Sequence, residues 1–145
     1  MKNLPSEILE YLKTQRIGVF AIEMLDGSPH AATVHFAHAE NPFQFYIETG
    51  INCRKSEPLL KNSSARATLV IGTDENNMKT LQMDGIARIV KDSENDFFID
   101  TYLKKFPSKE GKVKDPEAVY IIFTPTWYRF TDWKTSEGKK IWISN

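Results

Sequence analysis

One dipeptide, Asp26-Gly27, restricts the fold more than any other feature of the chain. It separates two β-rich runs, RIGVFAIEM (16–24) and HAATVHFAHA (30–39). An Asp-Gly turn between two such runs folds the second strand back antiparallel onto the first, because the backbone twist of the turn matches that of a hairpin. A doubly wound parallel sheet has no place for such a hairpin. Further β-rich runs follow. FQFYIET (43–49) alternates apolar and polar residues, as a strand with one buried face does. ARATLVIGT (65–73) reads as a buried strand. MKTLQMDGIARIVK (78–91) reads as a long one, in which Gly85 marks a bulge or a close backbone approach. AVYIIFTPTWYRFTDW, from about Ala118, is a sixth strand interrupted at Pro125.

Short helices are expected between these runs. In SEILEYLK, Ser6 is the expected cap and Ile8, Leu9 and Leu12 share one face. NCRKSEPLLKN is a short helix that starts or breaks at Pro58. SENDFFIDTYLKKF is capped by Ser93, with Phe97, Tyr102 and Leu103 on its apolar side. PSKEGKVKDPE is expected to be a polar loop, and the tail KTSEGKKIWISN carries no assigned element. Six strands with short helices predict a mainly β (α+β) fold, an antiparallel sheet closed on itself. Residues 1–145 are expected to form a single domain.

Charge excludes several functions. Lys plus Arg and Asp plus Glu both number 19, and zero net charge argues against a duplex nucleic-acid binder or an anionic-membrane binder. Phe43, Phe45 and Tyr46 offer stacking surfaces for single strands, but no basic stripe accompanies them. No apolar run is long enough to span a bilayer, and the N-terminus lacks a signal-peptide core, so a cytoplasmic location is expected. With one cysteine, Cys53, no disulfide forms within the chain. His30 and His38 share strand parity while His35 points the other way, so no metal site is expected. Cys53 reads as a structural thiol.

The feature that points to chemistry is YIETGINCRKSEPLL (46–60). Its first half ends a strand and its second half starts a helix, and Arg54 and Lys55 sit at the junction. Backbone N–H groups are unsatisfied at a helix start, so cations placed there favour an anion. A dianionic phosphate suits the pair: Arg can grip it with two parallel hydrogen bonds and Lys adds a point charge.

The order of elements, together with FYIETGINCRKSEPLLKNSSARATLVI, resembles the pyridoxamine 5′-phosphate oxidase-like superfamily of FMN-binding split β-barrels. The resemblance runs from the first helix to Trp133, and the tail GKKIW is similar to that of an uncharacterised bacterial branch. It implies a six-stranded antiparallel split β-barrel of the FMN-binding type. It also implies a homodimer with flavin at the subunit interface, for which FQFYIET and AVYIIF are the expected apolar surfaces. Carried over residue by residue, it assigns the FMN phosphate to Arg54 and Lys55, with Thr49 at the strand end. It sets the flavin ring along Ala32, Thr33, Val34 and His35, where small Ala31 and Ala32 permit close approach. Gln82 becomes the candidate side-chain contact, with Thr80 as its rival. Trp127 and Trp133 become candidates to cover the ring from the partner chain.

The resemblance stops short of an authentic pyridoxamine phosphate oxidase. Those enzymes hold the substrate phosphate with a Tyr and an Arg on the later helix and an Arg-His pair near the C-terminus. Here Tyr102 is present, Phe106 stands in the Arg position, and the tail has no His. The expected function is therefore an FMN-binding flavoprotein, an oxidoreductase acting on a small molecule. The alternative is a non-catalytic binder of FMN, haem or a deazaflavin on the same fold. Hydride transfer at flavin N5 requires no side-chain base, so no catalytic residue is named.

Overall fold

The computed structural model describes residues 4–144. All pairings are antiparallel in one eight-stranded sheet, ordered β2-β1-β5-β6-β7-β4-β3, with β8 also paired to β7. The strands are β1 (Ile17–Glu23), β2 (Pro29–His35), β3 (Ala37–Glu40), β4 (Phe43–Gly50), β5 (Ser64–Ile71), β6 (Lys79–Ile89), β7 (Ala118–Thr135) and β8 (Gly138–Ile143). The helices are α1 (Ser6–Thr14), α2 (Glu57–Lys61), α3 (Asn95–Lys105) and α4 (Glu110–Val113). No helix is long and apolar enough to cross a membrane among the described residues.

The Asp-Gly hairpin forms as expected. Gly27 adopts φ 82°, and the Ser28 amide donates to Asp26 Oδ1 at 3.0 Å. The run 30–39, however, is two strands. β2 and β3 lie on opposite edges of the sheet although only Phe36 separates them. Phe36 is fully buried, and its amide donates to Arg16 O at 3.1 Å. The sheet thus curls until its two edge strands are linked through one residue, which makes it a split barrel.

The interior holds Phe20, Phe45, Leu69, Met83, Phe123 and Phe130, the inward residues of alternating strands. Outside the barrel, α3 covers β3 and β4, and Phe98, Tyr102 and Phe106 pack with Tyr46, Val90 and Ile122. This layer corrects two expectations. Tyr46 and Ile122 are buried beneath α3, so FQFYIET and AVYIIF are not open apolar faces. On α3 itself it is Phe98 that is buried, while Phe97 is 54% exposed.

Other local differences have plain causes. Pro5 is the N-cap of α1, and the Ser6 hydroxyl bonds Glu7 instead of the backbone. Pro58 is accommodated in the first turn of α2, where its missing N–H costs no bond. The supposed polar loop contains α4, anchored by buried Val113. β7 runs unbroken through Pro125. Opposite it the register shifts between Asp84 and Gly85, leaving Thr126 as the extra residue of a bulge. A Cβ on Gly85 would lie 2.2 Å from Thr124 O, so this close approach requires glycine. The tail adds β8 along the C-terminal half of β7.

Candidate functional site

The outer face of β2, β1, β5, β6 and β7 carries the residues of interest. Cross-strand partners share a face, so the register reads out its rows. One row runs Thr33, Val19, Val70, Gln82, Arg129, Ile143. The next runs Ala31, Ala21, Thr68, Asp84, Trp127. Ala31, Thr33 and His35 point outward and are exposed. Val34 points inward into the core and Ala32 is half-buried on that same inner side. Gln82 is exposed, Trp127 is half-buried and Trp133 is 41% exposed.

On this face lies a cavity of 520 Å³, lined by Ala21, Glu23, Gly27, Pro29, Thr68 and Asp84 among others. That volume suits a small organic ligand. Its polar groups are already ordered. Thr68 Oγ1 donates to Asp84 at 2.9 Å, and Arg66 makes paired bonds of 2.7 and 2.8 Å to Glu23.

The Arg54-Lys55 doublet follows β4 on a 3-10 turn, Arg54–Ser56, that packs beside β2. The turn is fixed from within. The Ser56 hydroxyl donates to Gly50 O at 2.8 Å, and the Cys53 amide donates to the same oxygen at 3.1 Å. Thr49, at the end of β4, is buried. Its hydrogen bond is the main cause that lowers the Cys53 thiol pKa. Arg54 is exposed and Lys55 half-buried. Among the described residues neither takes part in a salt bridge. The charge of Arg54 reaches Asp26 in the hairpin turn, at the Gly27–Pro29 end of the cavity. The doublet and β2 are therefore neighbours in space, although 18 residues lie between His35, the end of β2, and Arg54.

The remaining candidates lie apart from them. Thr33 and Gln82 share a row but stand on β2 and β6, three strand spacings or roughly 14 Å apart. Trp127 lies one strand further. The structure therefore gathers two sets: Arg54, Lys55, Thr33 and His35 near β2, and Gln82, Thr80, Trp127 and Trp133 near β6 and β7.

A family model for pyridoxamine 5′-phosphate oxidase matches residues 4–132. The chain belongs to this family. The match spans α1 to most of β7 and leaves β8 outside. No curated protein matches the chain. Among solved structures, a putative pyridoxamine 5′-phosphate oxidase from Listeria innocua is similar at 24% identity. The match covers 86% of this chain and 95% of that one, with TM-score 0.66. A protein related to general stress protein 26, from Clostridium acetobutylicum, is 19% identical over 94% and 92% of the two chains, with TM-score 0.65. The haem storage protein HutZ from Vibrio cholerae is 18% identical over 85% and 90%, with TM-score 0.67. At these identities the likenesses show a shared fold.

Within this pyridoxamine 5′-phosphate oxidase fold, the face of α3 is closed. Tyr102 is fully buried and stacks on Phe98, its hydroxyl has no partner among the described residues, and burial raises its pKa. Phe106 is 1% exposed. No three His, Cys, Asp or Glu side chains cluster as metal ligands among the described residues.

Arg129 escaped the sequence reading. It is half-buried on the outer face, opposite Gln82, and has no salt bridge among the described residues. Inward Ile121, Phe123 and Pro125 set a parity that would turn Trp127 and Arg129 inward. The extra residue Thr126 reverses it, so Tyr128 and Phe130 face the core and Trp127 and Arg129 face out.

Proposed function

We propose that the protein binds FMN, with the phosphate on Arg54 and Lys55 and the ring along β2, and acts as an oxidoreductase on a small molecule. The cation pair carries this reading. Two adjacent basic side chains, free of ion pairs among the described residues, sit on a braced turn beside a strand whose outward residues include the small Ala31 and Thr33. Arg54 supplies directional donors to a phosphate and Lys55 a second positive charge. Small outward residues on β2 leave room for a planar ring against the backbone. When bound, FMN supplies hydride transfer at its N5 atom. The chain's own work is to grip the phosphate, orient the ring and exclude water, and no side chain is assigned as a base.

The protein is proposed to work as a homodimer. The β2 set and the β6–β7 set lie on opposite sides of one sheet face, too far apart for one ring. In the proposed dimer, an isologous pairing of two such faces would bring one chain's β2 set against its partner's β6–β7 set. Exposed Ile17, Ile86, Ile141 and Ile143 give that face apolar surface.

His35 favours a second reading, haem, which the likeness to HutZ also raises. It is exposed, and desolvation followed by the charges of Lys109, Arg16 and Lys112 lowers its pKa, favouring the neutral imidazole that ligates iron. Absorption titrations with FMN and with haem separate the readings. The flavin reading expects saturable FMN binding and, in FMN-loaded protein, NAD(P)H oxidation with a small acceptor. A haem Soret band that depends on His35, with no FMN binding, would overturn it.

A further inference from the structure

We propose that the cavity between α1 and the adjoining parts of β6 and β7 binds a small zwitterion, an α-amino acid with an apolar side chain, its carboxylate on Lys79 and its ammonium on Asp132 and Glu10. The site goes beyond the flavin reading and uses none of the residues assigned to FMN.

The cavity has a volume of 640 Å³, within the range of small-molecule sites. α1 lines one side with Glu7, Glu10 and Tyr11, while β6 and β7 line the other with Lys79, Phe130 and Asp132. Its floor is aromatic. The Tyr11 and Phe130 rings are buried with centroids 5.3 Å apart, and the Tyr11 hydroxyl donates to Lys79 O at 3.3 Å, which ties helix to strand. Asp132 follows Phe130 by two residues and so shares its inward side, and Lys79 is the cross-strand partner of Asp132. The fold therefore sets one cation and one carboxylate side by side at the edge of an apolar floor.

The two charges are loosely matched. Six ion pairs join described side chains, and four of them close at 2.6 or 2.7 Å. The loose ones are Lys79–Asp132 at 3.3 Å and Lys140–Glu7 at 3.9 Å, and both have a member lining this cavity. A charge-assisted N–H to carboxylate bond closes at about 2.7–2.9 Å, so Lys79 and Asp132 attract without sharing a short hydrogen bond. Asp132 is only 8% exposed, and its Oδ1 accepts the Lys134 amide at 3.0 Å. Its Oδ2 faces Lys79 alone among the described residues. A carboxylate this buried needs more than one distant cation to offset its desolvation. A ligand ammonium on Oδ2 and a ligand carboxylate on the Lys79 ammonium would complete both groups at once. A ligand with one charge would complete only one of them. Glu7 and Glu10 add negative charge to the α1 side, so the ammonium end is held by more groups than the carboxylate end. The side chain of the ligand would then rest on Tyr11 and Phe130.

The test titrates the full chain with L-phenylalanine and L-leucine, and with two analogues that each lack one charge, phenethylamine and 3-phenylpropionate. NMR shifts of Tyr11 and Phe130 report binding, with and without saturating FMN, so failure of the flavin reading leaves this measurement intact. We expect saturable shifts with both amino acids in either state. L-Phenylalanine should bind most tightly, phenethylamine next and 3-phenylpropionate least. Asp132→Asn should weaken L-phenylalanine and phenethylamine about tenfold or more, the loss of one charge-assisted hydrogen bond, and leave 3-phenylpropionate no weaker. Lys79→Met should weaken the two carboxylate-bearing ligands and spare phenethylamine. Glu10→Gln, on the exposed side of α1, leaves the core untouched and should weaken both amine-bearing ligands several-fold. No saturable shift with either amino acid would overturn the proposal. So would analogues that bind as tightly as L-phenylalanine, or unchanged affinity for it in all three variants.

Discussion

Replacing Arg54 with alanine separates a phosphate-gripping cation from a merely solvated one. Arg54 is exposed and has no salt bridge among the described residues, so its removal orphans no carboxylate and opens no hole in the core. Its charge also helps lower the pKa of Asp26 in the hairpin turn, after that group's own hydrogen bonds to Ser28. Fold stability should therefore be unchanged within about 0.5 kcal/mol, as for other surface substitutions. Ligand affinity should change. A hydrogen bond to a charged group is worth about 1.5–3 kcal/mol, and a bidentate grip contains two that do not add fully in a solvent-open site. Taking one bond's worth gives a loss of about tenfold to a hundredfold in FMN affinity. Riboflavin lacks the phosphate, so its affinity should hardly move. The assay is flavin fluorescence titration of wild type and variant with both ligands, at low and high salt. Salt should weaken FMN binding to the wild type and matter less for riboflavin. Equal losses for the two ligands would mean that the ring site or the fold was disturbed. No loss for FMN would make the doublet a solvated surface feature. Either result refutes the phosphate assignment.

Other expectations test neighbouring parts of the account. Lys55→Ala should show the same FMN-selective loss as Arg54→Ala but a smaller one, because a lysine contact is less directional; the same titrations read it. Gly85→Ala should destabilise the fold by about 1–3 kcal/mol, since the added methyl meets Thr124 O and Pro125 Cα in the bulge, and thermal melting measures it. If the proposed homodimer forms through this face, the wild type should sediment as a dimer and Ile86→Glu, on the exposed outer face, should keep the circular dichroism spectrum and sediment as a monomer; a monomeric wild type, or a dimer that Ile86→Glu leaves intact, contradicts that interface. Arg88 hydrogen-bonds Glu94 and holds its carboxyl at about 2, below the ordinary 4.5, so the pair adds stability above pH 4.5 that is lost as pH falls towards 2. Urea unfolding of Glu94→Gln against wild type should accordingly show a gap at pH 7 that narrows below pH 4.5.

What could be read from the sequence was local. The Asp26-Gly27 turn and the Arg54-Lys55 doublet each lie within a few adjacent residues, and both occur where the reading put them. The split of 30–39 could not be seen, because both halves are β-rich and the corner residue is Phe36, with neither Gly nor Pro to mark it. The sequence signals a bulge or close approach at Gly85 on β6 and an interruption at Pro125, but not that β7 runs on and carries the extra residue. That one residue decides whether Trp127 and Arg129 face the core or the site. The tail pairs as β8 through backbone bonds to β7, and its charged residues hide the strand signal. On α3 the apolar side read from sequence holds for Tyr102, but packing buries Phe98, four residues away on the same face, in place of Phe97. The lining of the cavity beside α1 comes from segments spread between Glu7 and Asp132, so only the folded chain brings it together.

The identity of the bound cofactor tests the central claim most directly. The protein would be purified without added ligand and scanned from 300 to 700 nm, and anything released on denaturation would be identified by mass. A flavin spectrum and FMN, close to one per chain, are expected. Haem or a deazaflavin in its place, or a protein that stays colourless and fails to take up added FMN, would contradict it.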